Sequence, residues 1–591
     1  TRHADAADPY FLYVASNFGS MLALIGYPLV IEPALGLARQ SLVWTCGYVV
    51  LALLIAACAA NAWYYRDATS AAAQPALPGE SSSVSWRERA MWMLLAFAPS
   101  SLMLGVTQHI TSEIAAVPLL WLVPLALYVM TFMNAFARRP PLKLEWAARL
   151  QPLLVILLAL TWVLNIYLSV FLLHLASFLV IALMCHGELA RRRPPAAHLT
   201  EFYIWIALGG ALGGAFNALA APLLFDSILE YPLVIALACM LRPAIRPEQS
   251  RLNWADFALP AALAASFALL VHFGVHPLRQ SGVIVVLYLE AVGIALYLMH
   301  PRPVRFGLAV AAVLLATPHL HIADEVLARH RSFFGVHTVL KDKEGGFHVL
   351  LHGITVHGAQ HLDAARRYEP TTFYHRDGPL GQLFSALGGD GRFRHIAMIG
   401  LGTGSAACYR EAGREFTFFE IDPLVVQLAR DPRWFSFLAG CAPGAQVMTG
   451  DGRLSLAGRP DRSYDLIIVD TFSSDSIPVH MITREAVALY FRKLSERGVL
   501  MLHITNQYLD LTPILVRIAS DMGLATMVPG PRMSLGSEER YTILESHWMA
   551  IARNPADLEA LASQEGWEKP AARGPDRPWT DDYSNILQAL K

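Results

Sequence analysis

Charged residues are scarce in this chain. Asp, Glu, Lys and Arg make up 16% of its 591 residues, whereas hydrophobic residues make up 55% and the mean hydropathy is +0.40. Soluble globular chains carry about a quarter charged residues. The deficit predicts that a large part of the chain lies in a membrane. The net charge of −1 gives no sign of a nucleic-acid partner, and we expect none.

Metal-binding and disulfide patterns are also missing. The six cysteines are scattered without a C-x-x-C pair, and the 21 histidines form no H-E-x-x-H motif. We therefore expect neither a disulfide framework nor a metal site. The polar start lacks the basic and apolar segments of a cleavable signal peptide. Because the chain begins at Thr1 rather than Met, we expect that upstream sequence precedes it.

Long apolar stretches fill the first half of the chain. Each is near the length that a helix needs to cross a bilayer, so residues 1–325 are predicted to form a multi-pass α-helical membrane domain of ten or eleven helices. The stretches are 10–31, 41–64, 90–107, 114–136, 150–165, 168–187, 202–224, 228–241, 257–273, 282–299 and, as the weakest, 306–320.

Basic residues fall at every second connection between these stretches. This alternation is the pattern that places basic loops in the cytoplasm. The basic connections are 66–89, 138–143, 191–193, 242–251 and 302–305. If 306–320 crosses the membrane, the domain that follows lies outside the cytoplasm; if it is interfacial or re-entrant, that domain is cytoplasmic.

A few polar residues interrupt the apolar stretches. Glu113 and Glu290 are candidates for transport or substrate gating, because intramembrane carboxylates are costly to retain. Interfacial placement or ion pairing is the simpler interpretation. The small residues of 209–214 indicate close helix packing rather than a hinge.

The hydrophobic pattern changes after about residue 331, from long apolar stretches to short runs of strand length. Two short runs, 347–351 and 354–357, predict a β-hairpin on either side of Gly353. Five buried strands follow, alternating with helical patterns around 404–413, 423–431 and 482–496. Such alternation predicts a Rossmann-like α/β domain with a doubly wound parallel sheet. The strands are predicted at 395–400, 416–422, 445–451, 464–470 and 498–504.

Polar and glycine residues stand at the carboxyl ends of four consecutive predicted strands, where such sheets bind ligands. The first ends in a glycine turn, which allows close approach of a nucleotide. The second ends in an acid that suits a ribose diol, the third in an acid that can accept from an adenine amino group, and the fourth in Asp470, followed by Asp475. The candidate nucleotide-binding residues are Gly400, Gly402, Thr403, Gly404, Glu420, Asp422, Asp451 and Gly452.

These segments resemble the spermidine synthase, or aminopropyltransferase, family. The resemblance is carried by LLHGITVHGAQ, TTFYHRDGPLG, MIGLGTG, FEIDP, TGDGR and VDTFSSDSIP, in this order, over roughly residues 332–530. The whole chain looks like the bacterial members fused to a membrane domain. The resemblance implies a spermidine synthase or methyltransferase type of sheet with a preceding hairpin. It places the hairpin part at 326–375 and the catalytic domain at 376–591.

The resemblance also implies an activity and roles for individual residues. The donor would be decarboxylated S-adenosylmethionine, the acceptor a diamine or polyamine, and methylthioadenosine the by-product, with no metal. Asp470 and Tyr374 would be catalytic. The substrate-binding residues would be Asp475, which holds the acceptor's far ammonium, together with His375 and Gln360. An acidic cluster near the C-terminus, Asp581 and Asp582, could close over a cationic substrate.

Thr403 departs from the family pattern, which has an aspartate for the donor's ammonium at this position. The donor could therefore be S-adenosylmethionine, and the protein a methyltransferase. A third hypothesis is a polyamine transporter or sensor that uses the nucleotide-binding domain for regulation. We expect a multi-pass protein of the bacterial inner membrane. The catalytic domain is placed in the cytoplasm because the adenosyl donor is made there. A homodimer is expected from the resemblance alone.

Overall fold

The structure is a computed structural model that describes most of the chain. The described residues are 12–64, 84–111, 119–164, 171–244, 248, 251–273, 282–320, 325–353, 355–471, 478–530, 541–564, 566–571 and 574–591. Two residues singled out from the sequence, Glu113 and Asp475, lie outside them.

Eleven apolar helical segments form the first half of the described chain. Eight are long and apolar enough to cross a membrane and three are shorter, so the length and composition of the helices agree with a membrane domain. They are α1 (Leu12–Gly26, continued by Tyr27–Ile31 and Glu32–Ala34), α2 (Leu37–Tyr64), α3 (Trp86–His109), α4 (Leu122–Phe136), α5 (Leu144–Leu164), α6 (Phe171–Arg191), α7 (Leu199–Ala215, continued by Phe216–Ala220 and Ala221–Leu224), α8 (Glu230–Met240), α9 (Ala255–His272), α10 (Gly282–Met299) and α11 (Pro303–Leu320).

Close helix packing explains the glycines of α7. A Cβ at Gly209 would collide with the backbone of Met93, and one at Gly213 would collide with that of Phe97, whereas the other two glycines of this run face open space. Because Gly209 and Gly213 are four residues apart, they lie on the same face of α7 and let α3 approach. The packing interpretation of this run is supported. Glu290 of α10 is exposed rather than turned into the bundle.

A four-stranded antiparallel sheet follows α11 directly. It runs in the order β1–β2–β3–β4, so the predicted hairpin is one half of a larger unit, which only four residues separate from the last helix. Sequence reasoning missed β1 and β2 because their mixture of basic residues and histidines hides the alternation. The strands are β1 (Glu325–Ser332), β2 (Gly335–Lys341), β3 (Phe347–His352) and β4 (Thr355–His361).

The second sheet has eight strands in the order β12–β10–β11–β9–β8–β5–β6–β7. The five strands from β9 to β7 are mutually parallel, and β11, β10 and β12 add antiparallel pairs at the other edge. The strands are β5 (His395–Ile399), β6 (Glu415–Glu420), β7 (Gln446–Thr449), β8 (Tyr464–Val469), β9 (Leu494–His503), β10 (Ala525–Pro529), β11 (Trp548–Ala552) and β12 (Trp567–Glu568). The predicted α/β class is confirmed.

Helices flank this sheet on both faces. Two of them begin with side-chain caps supplied by strand-end acids: Asp422 accepts from the amide of Leu424, and Asp451 accepts from that of Leu454. The helices are α12 (Pro379–Leu387), α13 (Pro423–Arg430), α14 (Phe437–Cys441), α15 (Gly452–Ala457), α16 (Arg484–Lys493), α17 (Thr512–Asp521) and α18 (Glu559–Ala562).

Two expectations for this domain are wrong. The helix predicted around 404–413 is a short 3₁₀ turn, Ser405–Tyr409, which follows Gly404 in a left-handed conformation. No disulfide was expected, yet Cys408 at this turn is bonded to Cys441 at the end of α14, with the Cα atoms 4.9 Å apart. The two cysteines are 33 residues apart in sequence, so only the fold brings them together.

Candidate active site

A cavity of about 300 Å³ lies at the carboxyl ends of β5, β6 and β8. The strand order reverses between β5 and β8, so this is the switch point at which α/β sheets bind ligands. The first sheet covers one side of the cavity. Eight of the predicted site residues line it: Tyr374, Gly400, Gly402, Glu420, Asp422, Asp451, Gly452 and Asp470.

Glycines at the end of β5 allow the strand ends to approach each other. Gly400 has φ +100°, and a Cβ there would collide with the carbonyl of Asp470. Gly402 has φ +54°, and its Cβ would lie 2.5 Å from the carbonyl of His357 on β4. Side chains are disfavoured in both conformations. The glycine turn thus closes the floor of the cavity against β8 and against the first sheet.

Glu420 ends β6 and faces the cavity. Its two carboxylate oxygens accept from the amides of Leu401 and Asp422, at 3.0 and 2.9 Å. Burial raises the pKa of Glu420, and these two hydrogen bonds oppose the rise. The carboxylate is therefore held in one orientation across the glycine turn, with remaining lone pairs that can accept from the hydroxyl groups of a ribose.

Asp470 follows β8 and is the centre of a hydrogen-bonded group. One carboxylate oxygen accepts from the hydroxyl of Tyr374, and the other lies 3.0 Å from Nδ1 of His503. Burial by itself raises the pKa of Asp470, but the nearby His503 imidazole and the hydrogen bonds from His503 and Tyr374 outweigh it and hold the pKa below its usual value. Burial and the carboxylate raise the pKa of Tyr374 well above its usual value. The tyrosine is thus a hydrogen-bond donor and Asp470 an anion.

His503 is fixed on three sides. Nε2 lies 2.7 Å from the hydroxyl of Thr505, and the imidazole ring stacks on Trp548 at 4.3 Å. Nδ1 of the ring donates to Asp470 and Nε2 shares a hydrogen bond with the hydroxyl of Thr505, so both ring nitrogens have a partner. The fifth predicted strand contains His503 and is followed by Thr505, but the sequence assigned neither residue a role. The alternation of β9 alone could not show which of its residues faces Asp470.

Asp422 and Asp451 line the cavity but are largely engaged in local structure. Asp422 caps α13 and also accepts from Ser332 and His337 of the first sheet, at 2.6 and 2.9 Å. Asp451 caps α15, and its second oxygen lies 3.6 Å from Nε2 of His480. Asp422 therefore joins the two sheets, while Asp451 keeps one oxygen open to the cavity.

Three histidines of the first sheet line the same cavity, and the sequence analysis did not identify them. His337 and His352 have ring centroids 4.7 Å apart, and His352 and His357 have theirs 5.4 Å apart. Burial first, and then the neighbouring histidines, lower the pKa of His352 to about 4 and that of His357 to about 3. Both are neutral at physiological pH, so neither His352 nor His357 adds a positive charge to this wall of the cavity. Among the described residues, no group of three or more His, Cys, Asp or Glu side chains is arranged to hold a metal ion.

Several predicted residues lie away from the cavity. Thr403 is fully buried against Gly358, and Gly404 packs against Leu438. The amide of Gln360 bonds to Ser436 and to the carbonyl of Arg367. His375 accepts from the amide of Asp377. None of these four predicted residues touches the cavity, and a substrate role for them stays a prediction.

Asp581 and Asp582 lie beside a second cavity of about 420 Å³, between the catalytic domain and the end of α1. Asp581 pairs with Arg453 at 2.6 Å and accepts from Thr483, while Asp582 accepts from the amide of Ala38 at 2.8 Å. They hold the C-terminal segment in place rather than face the first cavity. His480 lines both cavities and is the residue that separates them.

One curated relative supports the resemblance seen in the sequence motifs. Over 113 residues the chain is 38% identical to the polyamine aminopropyltransferase of Vibrio vulnificus (strain CMCP6). The match covers 18% of this chain and 36% of the relative, so the chain spans about a third of the length of that protein. No protein-family model matches the chain.

Solved structures give a weaker likeness. A probable spermidine synthase from Corynebacterium glutamicum ATCC 13032 matches 43% of this chain and 97% of its own, with 14% identity and a TM-score of 0.33. The spermidine synthase of Thermotoga maritima matches 45% and 84%, with 12% identity and a TM-score of 0.30. Likeness at this level carries no argument about function. The curated match, over its 113 residues, confirms the resemblance to the spermidine synthase family.

Proposed function

We propose that this chain is a membrane-integrated aminopropyltransferase. It transfers an aminopropyl group from decarboxylated S-adenosylmethionine to a diamine or polyamine and releases methylthioadenosine. The observation that carries the proposal is the anionic Asp470, held by Tyr374 and His503 at the switch point beside Glu420. The partial identity to a polyamine aminopropyltransferase supports it.

The geometry fits the demands of this displacement. A free alkyl amine with a pKa near 10 is deprotonated to only about a thousandth at pH 7. Asp470 attracts the ammonium, orients it and accepts its proton, while the amine nitrogen bonds to the carbon next to the sulfonium. The carbon–sulfur bond breaks and its electron pair stays on sulfur, which leaves a neutral thioether. Because Asp470 is fixed by two hydrogen bonds, the attacking nitrogen can be placed in line with the leaving sulfur.

Each substrate has a candidate place in the cavity. Glu420 would hold the donor's ribose, and the open oxygen of Asp451 would accept from the adenine amino group. The acceptor would approach Asp470 from the side of Phe373 and Thr505, which also line the cavity. Asp475, expected to bind the acceptor's far ammonium, lies outside the described residues. The lipid bilayer is the other proposed partner, and a homodimer remains a prediction.

Thr403 is the residue that favours the alternative function, a methyltransferase. The side chain at this position is buried against Gly358, so the chain has no carboxylate there for the donor's ammonium. If the protein is instead a transporter or sensor, it should transport or bind a polyamine without converting it to a product.

A product assay on the purified full chain separates these functions. The protein is offered decarboxylated S-adenosylmethionine or S-adenosylmethionine, each with a panel of diamines and polyamines, and the products are identified by mass spectrometry. We expect methylthioadenosine and an acceptor heavier by one aminopropyl group. S-adenosylhomocysteine would instead show methyl transfer, and no product with any pair would reject an enzyme of either kind.

A further inference from the structure

We infer that the catalytic domain faces the extracytoplasmic side of the membrane, where Cys408 and Cys441 are oxidised to a disulfide. The inference goes beyond the proposed function and does not depend on it. It rests on two independent features: which ends of the helices touch the catalytic domain, and the pairing of two cysteines within that domain. It is opposite to the cytoplasmic placement expected from the source of the donor.

The basic ends of the helices gather on one side of the bundle. Arg192 at the end of α6 pairs with Glu88 at the start of α3, at 3.1 Å. Arg89 pairs with Glu201 at the start of α7, at 2.5 Å. The start of α3, the end of α6 and the start of α7 are therefore neighbours, and all three follow or precede a basic connection.

A second group of basic ends lies on the same side. Arg302 and Arg305, around the start of α11, both pair with Asp256 at the start of α9, at 3.2 and 3.0 Å. The amide of Gln151, in the first half of α5, donates to the carbonyl of Ala238 near the end of α8. The start of α5 lies against the end of α6, where a Cβ at Gly187 would be 3.2 Å from Leu144, and the end of α8 lies against the start of α11, where a Cβ at Gly307 would collide with Met240. Together with the contact between α5 and α8, these approaches place the two groups on one basic face.

The catalytic domain touches the opposite ends of the helices. Between α1 and α2, the amide of Leu37 donates to the carbonyl of Asp582 at 2.7 Å, and the hydroxyl of Tyr583 donates to the carbonyl of Pro33 at 3.2 Å. Before α8, Arg331 of β1 pairs with Glu230 at 2.7 Å and donates to the carbonyl of Ser227. The two connections, between α1 and α2 and between α7 and α8, join helix ends that are opposite to the ends on the basic face.

The last helix is consistent with this arrangement. α11 begins between Arg302 and Arg305 on the basic face, and four residues separate its end from the start of β1. Along its length the helix buries apolar residues in the bundle, so it runs through the bundle rather than lying on its surface. These buried residues are Phe306, Ala309, Val310, Val313 and Leu314. The described helix therefore passes through the bundle from the basic face towards the opposite ends.

Charge then sets the orientation. In the sequence, the connections that begin and end at helix ends of the basic face contain fourteen Lys and Arg residues, whereas the other connections and the helix starts beside them contain two, Arg39 and Arg279. Short basic connections remain in the cytoplasm during insertion. The catalytic domain, at the opposite ends, is therefore outside. The fourteen are Arg66, Arg87, Arg89, Arg138, Arg139, Lys143, Arg191, Arg192, Arg193, Arg242, Arg246, Arg251, Arg302 and Arg305.

The disulfide also indicates that the catalytic domain is extracytoplasmic, and this argument does not depend on the distribution of charge. Cys408 and Cys441 are bonded, whereas Cys185 and Cys239, buried in the membrane bundle, are free. Disulfides persist in oxidising compartments and are rare in the cytoplasm. Two thiols lose two protons and two electrons here to a protein disulfide oxidant, which becomes a dithiol by thiol–disulfide exchange. The donor, if made inside the cell, must then reach the outer side.

Site-directed labelling of the full chain tests the orientation. Cys46, Cys58, Cys185 and Cys239 are first replaced by serine, and one cysteine is added at a time. Glu415→Cys reports on the catalytic domain, where this side chain is 79% exposed. Leu142→Cys is the matched control on the basic face and is 48% exposed. The probe is a membrane-impermeant maleimide, applied to intact spheroplasts and to lysed ones.

We expect Glu415→Cys to be labelled equally before and after lysis, and Leu142→Cys to be labelled only after lysis. Label on Glu415→Cys that appears only on lysis overturns the inference.

A second measurement uses the unaltered chain. Cells are quenched in acid, and free thiols are counted by the gel shift from a large maleimide. We expect two further adducts after reduction, and Cys408→Ser to expose one thiol, that of Cys441, without reduction. Free Cys408 and Cys441 thiols in the unreduced chain would contradict the inference. Neither readout depends on catalytic activity, so failure here and failure of the product assay are distinguishable.

Discussion

At the scale of single residues, the candidate site depends on the charge of Asp470. The carboxylate is buried, and two hydrogen bonds keep it ionised. Asp470→Asn removes the charge while preserving the size of the side chain. We expect kcat to fall by about 10²–10⁴, the usual contribution of a positioned acid or base. Release of methylthioadenosine measures this, and calorimetric donor binding should be retained.

The control for this variant is Glu415→Gln, which removes an exposed carboxylate of the same domain. Its turnover should equal that of the unaltered protein. Full activity in Asp470→Asn would reject the catalytic role.

His503 should act through Asp470 rather than on the substrate. In His503→Gln the carboxylate loses a close imidazole, so the pKa of Asp470 rises. A higher pKa means that the ionised form is lost at a higher pH. The acid limb of the kcat/KM profile should therefore move to higher pH, while Thr505→Ala, which leaves the imidazole in place, should move it less. Equal profiles for His503→Gln and the unaltered protein would contradict the positioning role.

The sequence predicted the acids at the strand ends but not their partners. Glu420 and Asp470 follow buried strands, so their place at the edge of the sheet was predictable. The histidines of the first sheet and His503 reach the cavity only because two separate sheets meet there. A single sequence contains no information on that contact.

At the scale of elements, the contact between the two sheets shapes the cavity. Asp422 caps α13 and accepts from Ser332 and His337 at the same time. Asp422→Ala should cost about 1 kcal/mol through the lost cap, and it also releases β1 and β2. We expect faster hydrogen exchange in β1 and β2 and a KM for the donor that rises more than kcat falls. Ser332→Ala removes only the hydrogen bond between Ser332 and Asp422, so hydrogen exchange and KM should change less. Hydrogen exchange in β1 and β2 that is unaltered in Asp422→Ala would contradict this account.

This contact should also depend on pH. Burial raises the pKa of Asp422, but its hydrogen bonds with His337, Ser332 and the amide of Leu424 outweigh that and lower it overall. A lowered pKa gives stabilisation that is present above the unfolded value, about 3.9, and is lost as pH falls through the folded value. The contact should therefore be intact at neutral pH. Hydrogen exchange measured along an acid series would show β1 and β2 opening only in strong acid.

Strands were easier to predict than the other elements. Within the predicted strand 464–470, the run 466–469 is apolar throughout, as expected of parallel strands with both faces covered. A helix was predicted around 404–413, but the chain forms a 3₁₀ turn there. That turn was not predictable, because it is set by Gly404 and by a disulfide to a distant residue. The pattern of β1 and β2 was hidden by polar residues that face the other sheet.

At the scale of the whole molecule, one buried ion pair joins the two domains. Arg331 and Glu230 are 3% and 0% exposed. Glu230→Gln leaves the guanidinium buried without a counter-charge, which costs about 3–5 kcal/mol. We expect a lower Tm in detergent and easier proteolysis between the domains.

A matched control is Glu201→Gln. It breaks the partly exposed pair with Arg89 and should lower the Tm much less, because solvent screens that pair. A double variant with leucine at both positions 230 and 331 should recover most of the stability, because no charge is then left unpaired. Equal losses in Glu230→Gln and Glu201→Gln would show that the buried pair does not hold the domains together.

β1 is connected to the bilayer at one end and to the cavity at the other. Four residues separate it from α11, and its last residue, Ser332, bonds to Asp422. Membrane helices tilt when the thickness of the bilayer changes. With so short a connection, tilting of α11 pulls on the strand that forms the cavity wall. We therefore expect that the lipid composition of a surrounding bilayer would alter the active site by mechanical force, without a bound ligand.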